Sequence, residues 1–157
     1  MSRIIEILIS SSPSSTMECR ESVRAIPGRG LEGDRYFSGL GTFSPRPHKP
    51  DYEVTLIQRE HIEAFQAATT LPFTSKHARR NLVSEGVDLN SLVGRDFWTG
   101  GVRLRGIRLC EPCNYLAKSS FPEILQGLVH KGGLRAQILS EGVIRVGDPI
   151  RVDQASA

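Results

Sequence analysis

From Arg80 onward the sequence is a chain of short runs that alternate apolar and polar residues and stop at glycine. The run GVRLRGIRL (101–109) is the most informative of them. Val102 and Leu104 share one face, with Arg103 and Arg105 opposite; after Gly106 the phase shifts, so that Ile107 and Leu109 become the apolar positions around Arg108. A glycine at a phase break inside a strand is the signature of a β-bulge. NLVSEGV (81–87) and RDFWTG (95–100) read as further strands. LRAQILSEGVIRVGDPIRV (134–152) reads as a hairpin turning at Glu141–Gly142, with a second turn at Gly147–Asp148. Many short strands with few helices predict a mainly β fold, a β-barrel with helices at its rim.

The first half is compatible with that architecture. Residues 3–10 are rich in Ile and Leu and alternate poorly, as a buried strand does. SSPSST (11–16) is a polar loop, CRESVRAI (19–26) a second short strand and EVTLI (53–57) a third. QREHIEAFQAA (58–68) places Ile62 and Phe65 at helical spacing. Thr74 or Ser75 caps a further helical turn through Arg79. DLNSLVG (88–94) reads as a short turn, and Pro122 as the first residue of a helix PEILQGLVH. Residues 27–50 hold five of the 15 glycines and are expected to form neither strand nor helix. A loop of that length in a small domain is functional or mobile: its Gly33–Arg35 end is expected to lie ordered against the barrel mouth, and Ser38–Lys49 to act as a lid. No repeat or second-domain boundary is visible, so residues 1–152 are expected to be a single domain and 153–157 a frayed tail.

At 39% hydrophobic and 24% charged residues, the chain of 157 residues has the profile of a globular protein. No apolar run approaches the roughly 20 residues that span a membrane. MSRIIEILIS carries Glu6 and reads as a first strand rather than a signal peptide, which predicts a cytoplasmic protein. In that reducing compartment Cys19, Cys110 and Cys113 are expected to be ligands, nucleophiles or core residues rather than disulfides. The net charge is a mild +3, but 16 of the 20 basic residues are Arg. Arg forks grip phosphate and carboxylate at two points; a GC-rich genome produces the same bias. The arginines are dispersed, with few aromatic neighbours in sequence, unlike the stacking platforms of nucleic-acid binders.

Cys110 and Cys113 form a Cys-x-x-Cys pair in IRLCEPCNYLAK (107–118). A structural zinc site needs a second close pair, and Cys19, His48, His61, His77 and His130 do not supply one. A redox dithiol fits locally, between a strand and helix-compatible NYLAK, but belongs to parallel βαβ folds. Two core cysteines are the plain alternative, although Glu111 and Pro112 between them are loop residues. A fourth reading makes one thiolate a metal ligand at the barrel mouth, with arginines from several strands around a phosphorylated, thiolate-rich cofactor.

GLEGDRY (30–36), the stretch from Arg79 to Cys113, HKGGLRAQILSEG (130–142) and GVIRVGDPI (142–150) together resemble the MOSC family. This is the domain at the C-terminus of molybdenum-cofactor sulfurases, also found as stand-alone bacterial proteins. The resemblance covers nearly the whole chain. It implies a barrel like the one inserted in pyruvate kinase, and binding of the pyranopterin molybdenum cofactor. It also implies either reduction of small N-hydroxylated compounds with a separate electron-donor protein, or a non-catalytic role carrying cofactor or sulfur. Cys113 matches the family cysteine after Pro and would be the molybdenum ligand and catalytic thiolate; Cys110 has no family counterpart. Asp34, Arg35, Arg80, Asn81 and Arg135 match family positions and would bind the cofactor. His130, Asp34 and Tyr115 are candidate proton donors by position. Pyridoxal phosphate is associated with the family through its sulfurase members, and no desulfurase domain for it is visible in these residues. Nor is there an iron–sulfur cysteine set or a flavin or nicotinamide fingerprint. The expected partners are a small-molecule substrate and a redox protein, with no nucleic acid and no membrane.

Overall fold

A computed structural model describes residues 1–45, 47 and 49–152, with the side chains of 114, 115 and 119 outside that description. His48, the Tyr115 side chain and the 153–157 tail named above therefore lie outside the described residues. The strands are β1 (Arg3–Ile9), β2 (Glu18–Arg20), β3 (Ser22–Ile26), β4 (Gly30–Leu31), β5 (Val54–Gln58), β6 (Leu82–Glu85), β7 (Asp96–Thr99), β8 (Val102–Leu109), β9 (Leu134–Ile138), β10 (Gly142–Arg145) and β11 (Ile150–Val152). Eight of them form one sheet in the order β11-β7-β8-β9-β5-β6-β1-β2, and β10-β3-β4 form a second. Among the described residues the strand pairs are antiparallel except β5–β6, which are parallel and joined through helices.

The large sheet curls until its ends meet. The Ile4 N–H donates to the Asp148 carbonyl (2.9 Å), Gly147 N–H to Ile4 (2.7 Å) and Ile150 N–H to Ser2 (2.9 Å), so the first half of β1 is stitched to the chain entering β11. The second half of β1 pairs with β2 instead. This is the mainly β barrel that the short alternating runs predict.

Two apolar clusters explain why β1, β5 and β6 read as nearly continuous hydrophobic runs. Alternate residues point inward and outward: Ile7, Leu56 and Leu82 belong to the barrel interior, while their neighbours Leu8, Ile57 and Val83 pack outside it. The outer cluster is covered by α1 (Arg59–Thr69), α2 (Ser75–Ala78), α3 (Asn114–Ser119) and α4 (Ile124–Gly127), which contribute among others Ile62, Phe65, Leu116 and Ile124. Each such fully buried side chain favours folding by about 1.5–3 kcal/mol.

Four sequence expectations are corrected. β9 and β10 do not pair as a hairpin: both edges of β9 are taken by β5 and β8, and β10 crosses to β3. CRESVRAI is two strands in two sheets, and the chain changes sheet at Glu21, whose carbonyl accepts the Val146 N–H. Pro122 lies in the turn before α4, which spans only Ile124–Gly127. The glycine-rich loop contributes one short strand, β4, paired with β3.

Candidate functional site

The bulge inferred at Gly106 is present: the β8–β9 register shifts between Gly106 and Arg108. Gly106 is bridged to Val93, and a Cβ there would collide with the Leu92 carbonyl, so a glycine is required. The extra residue has a second effect. It turns Arg108 to the outward face of the strand, where the uninterrupted alternation would have placed Ile107. Arg108 then stands directly opposite Arg135 of β9, and Arg135 opposite Thr55 of β5. Thr55 is hydrogen-bonded to Asn81: its N–H and hydroxyl both donate to Asn81 Oδ1 (3.1 and 3.2 Å). A row of polar side chains thus crosses three neighbouring strands and ends at Asn81, the residue before β6.

That row forms part of the wall of a cavity of about 270 Å³. Its other walls come from Arg35, Tyr36, Thr42 and Phe43 of the glycine-rich loop, from Tyr52, from Arg79 and Arg80 between α2 and β6, and from Cys110–Cys113 and Leu116. The cavity therefore lies on the outward face of the sheet, not at the barrel mouth. Among its described lining residues are five arginines and a single carboxylate, Glu111.

The arginines are not equivalent. Arg80 donates from Nε to the Gly132 carbonyl (2.8 Å), from Nη1 to Ala78 (3.2 Å) and from Nη2 to Cys110 (3.1 Å), so it braces the backbone. Arg108 is paired with Asp51 (2.7 Å). Arg35 is 7% exposed and held by Asp34 (3.2 Å). Arg135 lies over the Tyr52 ring at 4.7 Å, and its buried Nε has no hydrogen-bond acceptor. Like charges directly opposed across a sheet are destabilising, and a buried donor without an acceptor costs about 1–3 kcal/mol. Both features sit on one wall of the cavity.

Of the residues singled out in the sequence, Arg35, Arg80, Asn81, Cys113 and Arg135 line this cavity, and Asp34 does not. Asp34 is buried behind it, accepting from the backbone N–H groups of Ser10 (3.1 Å) and Tyr36 (3.2 Å) as well as from Arg35. Asn81 is 4% exposed and ties strands together, donating from Nδ2 to the Leu8 carbonyl (3.1 Å). His130 is on the surface, with its Nδ1 3.2 Å from a Glu111 carboxylate oxygen, and is not in the wall. Arg79, Arg108, Tyr36 and Tyr52 were not singled out. Burial raises the Tyr36 phenol above its ordinary value, opposed by the charge of Arg35, a backbone hydrogen bond from Phe43 and the charge of Arg135. The bulge at Gly106 was the one sequence signal that could have pointed to Arg108.

Cys110 and Cys113 are both free and both line the cavity. Cys110 is 2% exposed; Cys113 is half-buried, at the residue that precedes α3. The chain runs from one to the other without a turn or bend. Among the described residues no three His, Cys, Asp or Glu side chains cluster as a metal site. A cofactor that brings its own sulfur ligands needs only one thiolate from the protein, and Cys113 is the more accessible of the two.

A small β-barrel bearing an arginine-rich, thiol-containing cavity on its outer face is the class that this fold and site define. The chain belongs to the MOSC domain family, whose model matches residues 44–151. The fold is shared with the YuaD protein from Bacillus subtilis (TM-score 0.77, 17% identity, 97% of this chain and 96% of that one). YiiM from Geobacillus stearothermophilus is also similar (TM-score 0.75, 17% identity, 98% and 76%), as is YiiM from Escherichia coli (TM-score 0.70, 17% identity, 99% and 71%). No curated protein matches the sequence. No helix among the described residues is long and apolar enough to cross a membrane.

Proposed function

We propose that this cavity binds the pyranopterin molybdenum cofactor and that the chain is an oxidoreductase acting on small N-hydroxylated compounds, with electrons from a separate donor protein. The observation that carries the reading is the opposed pair Arg108 and Arg135, with the Arg135 Nε buried and without an acceptor, on the same wall as a half-buried thiol. The residues fit the group by their chemistry. Forked cations suit its phosphate and ring oxygens, and a thiolate is a soft ligand suited to a metal that changes oxidation state. The volume of about 270 Å³ is just below the roughly 300–1,000 Å³ usual for ligand pockets.

In this reading Cys113 holds the metal, while Arg35 and Arg135 neutralise the anionic parts of the cofactor. Asp34 positions Arg35 from behind, and Arg80 fixes the backbone on which Cys110 and Cys113 are carried. The bound metal would supply a two-electron centre for removing the N–O oxygen atom. Tyr36, a neutral phenol on the cavity wall, is the described side chain best placed to hold a proton there.

The test is molybdenum and pterin content after expression in a host that makes the cofactor, followed by turnover of an N-hydroxylated amine with a chemical electron donor. Metal with turnover is the expected result. Metal without turnover assigns the chain to a carrier role for cofactor or sulfur, and zinc at one equivalent overturns the cofactor reading.

A further inference from the structure

Two cavities meet at Arg79. The second, of about 470 Å³, lies between the Ser10–Thr16 loop and α2, and Arg79 lines both. Arg79 has φ 56°, in the left-handed region at the end of α2, a position that glycine or asparagine usually takes. A bulky residue in that conformation is worth a functional question. Its guanidinium donates to the Ser15 (2.9 Å) and Pro13 (3.1 Å) carbonyls, so it fixes the serine loop as one wall of the second cavity while standing at the edge of the first.

The second cavity has a distinct composition. Ser14, Thr16 and Thr74 present hydroxyls, Lys76 and Arg79 are cationic, and no Asp or Glu is among its described lining residues. His77 adds a donor whose tautomer is fixed by geometry. The Thr74 N–H donates to His77 Nδ1 (3.0 Å), which makes Nδ1 an acceptor. The neutral ring then carries its proton on Nε2. The ring is stacked on Phe73 at 6.0 Å, which holds its orientation.

We propose that this second cavity is an anion subsite continuous with the first, taking the phosphate or diphosphate group of a ligand whose other end reaches Cys113. It depends on the cofactor reading only for the identity of that other end. Two sources share this chemistry, the cofactor's own phosphate and the phosphate of a substrate.

The test is amide NMR of the cofactor-free full chain at low ionic strength, titrated with inorganic pyrophosphate. Saturable shifts are expected at Ser14–Met17 and Lys76–Arg79. Lys76→Glu is expected to weaken binding about tenfold, the scale of a lost charge-assisted hydrogen bond, and Lys76→Met by a smaller factor. Arg151→Glu, the same charge change at a residue lining neither cavity, is expected to leave binding nearly unchanged. Absence of shifts in both segments, shifts confined to Arg108 and Arg135, or equal weakening by the two charge reversals would overturn the proposal. Repeating the titration on cofactor-loaded protein separates the sources: lost pyrophosphate binding assigns the subsite to the cofactor's phosphate, retained binding to a substrate's. Failure to load cofactor would count against the proposed function, whereas the pyrophosphate result decides the subsite by itself.

Discussion

The guanidinium of Arg80 donates to the backbone carbonyl of Cys110 at 3.1 Å, across a gap in sequence that spans β6, β7 and β8. With its bonds to Gly132 and Ala78 it joins three segments of the cavity wall. Hydrogen bonds from charged donors are worth about 1.5–3 kcal/mol each when they cannot be replaced by water, and less when they can. Arg80→Met is therefore expected to lower stability by about 2–3 kcal/mol in urea denaturation. Arg80→Lys, which lacks the fork, should recover only a minor part. An unchanged denaturation midpoint in Arg80→Met would show that the bracing role is wrong.

The three thiols should differ in the native protein. Cys19 is exposed, Cys113 half-buried and Cys110 2% exposed. A disulfide reagent is expected to modify Cys19 and Cys113 readily and Cys110 only after unfolding. Cys113→Ser should abolish molybdenum retention with little change in stability. Cys110→Ser should retain metal but lose about 1–2 kcal/mol, since it places a hydroxyl in the core. Matching behaviour of the two variants in metal analysis would restore a joint role for the pair.

Arg135 offers a separation of stability from binding. Its buried Nε lacks an acceptor and its cross-strand neighbour is Arg108. Arg135→Leu removes the unsatisfied donor and the like-charge opposition, so the melting temperature is expected to hold or rise. Cofactor or anion binding should fall by at least about tenfold. A marked loss of stability in Arg135→Leu would mean that Arg135 serves the fold rather than a ligand.

Acid stability should depend on Asp96 of β7, which does not line the cavity. A hydrogen bond from Arg105, and the charges of Arg105 and Arg103, hold its carboxyl below the ordinary 3.8 despite partial desolvation. The folded carboxylate takes up its proton less readily than the unfolded one. Its contribution is therefore present above pH 3.8 and lost as pH falls through the lower folded value. Asp96→Asn is expected to reduce stability at neutral pH and to flatten the decline below about pH 4, as read from urea midpoints over a pH series.

Local signals in the sequence carried the local structure well. The phase break at Gly106 identified the bulge, the Ile62–Phe65 spacing identified α1, and Thr74 stands as the N-cap of α2, where its N–H donates to His77 Nδ1. What failed depended on partners distant in sequence. Glu141–Gly142 carries turn residues, but nothing nearby reveals that β9 already has a neighbour on each side. The matching of Arg35, Arg80, Asn81 and Arg135 to family positions led to one cavity, yet could not tell Arg80, engaged with carbonyls, from Arg135, whose Nε is without an acceptor. Arg79 does close the helical turn expected there, as its C-cap, but its left-handed backbone is invisible in composition.

The seam between Ile4 and Asp148 constrains the order of events at the ribosome. Among the described residues, the first half of β1 is one of the earliest segments synthesised and its partner there one of the last. Until Asp148 has left the exit tunnel, that edge of β1 is an open hydrogen-bonding template, as is the unclosed sheet behind it. Closure must therefore follow translation of nearly all the described chain, and contacts so distant in sequence are slow to form. A circular permutant that joins the two sides of this seam by a short linker and opens the chain in the Ser38–Pro45 stretch would make the closing contact local, and should refold faster at similar stability.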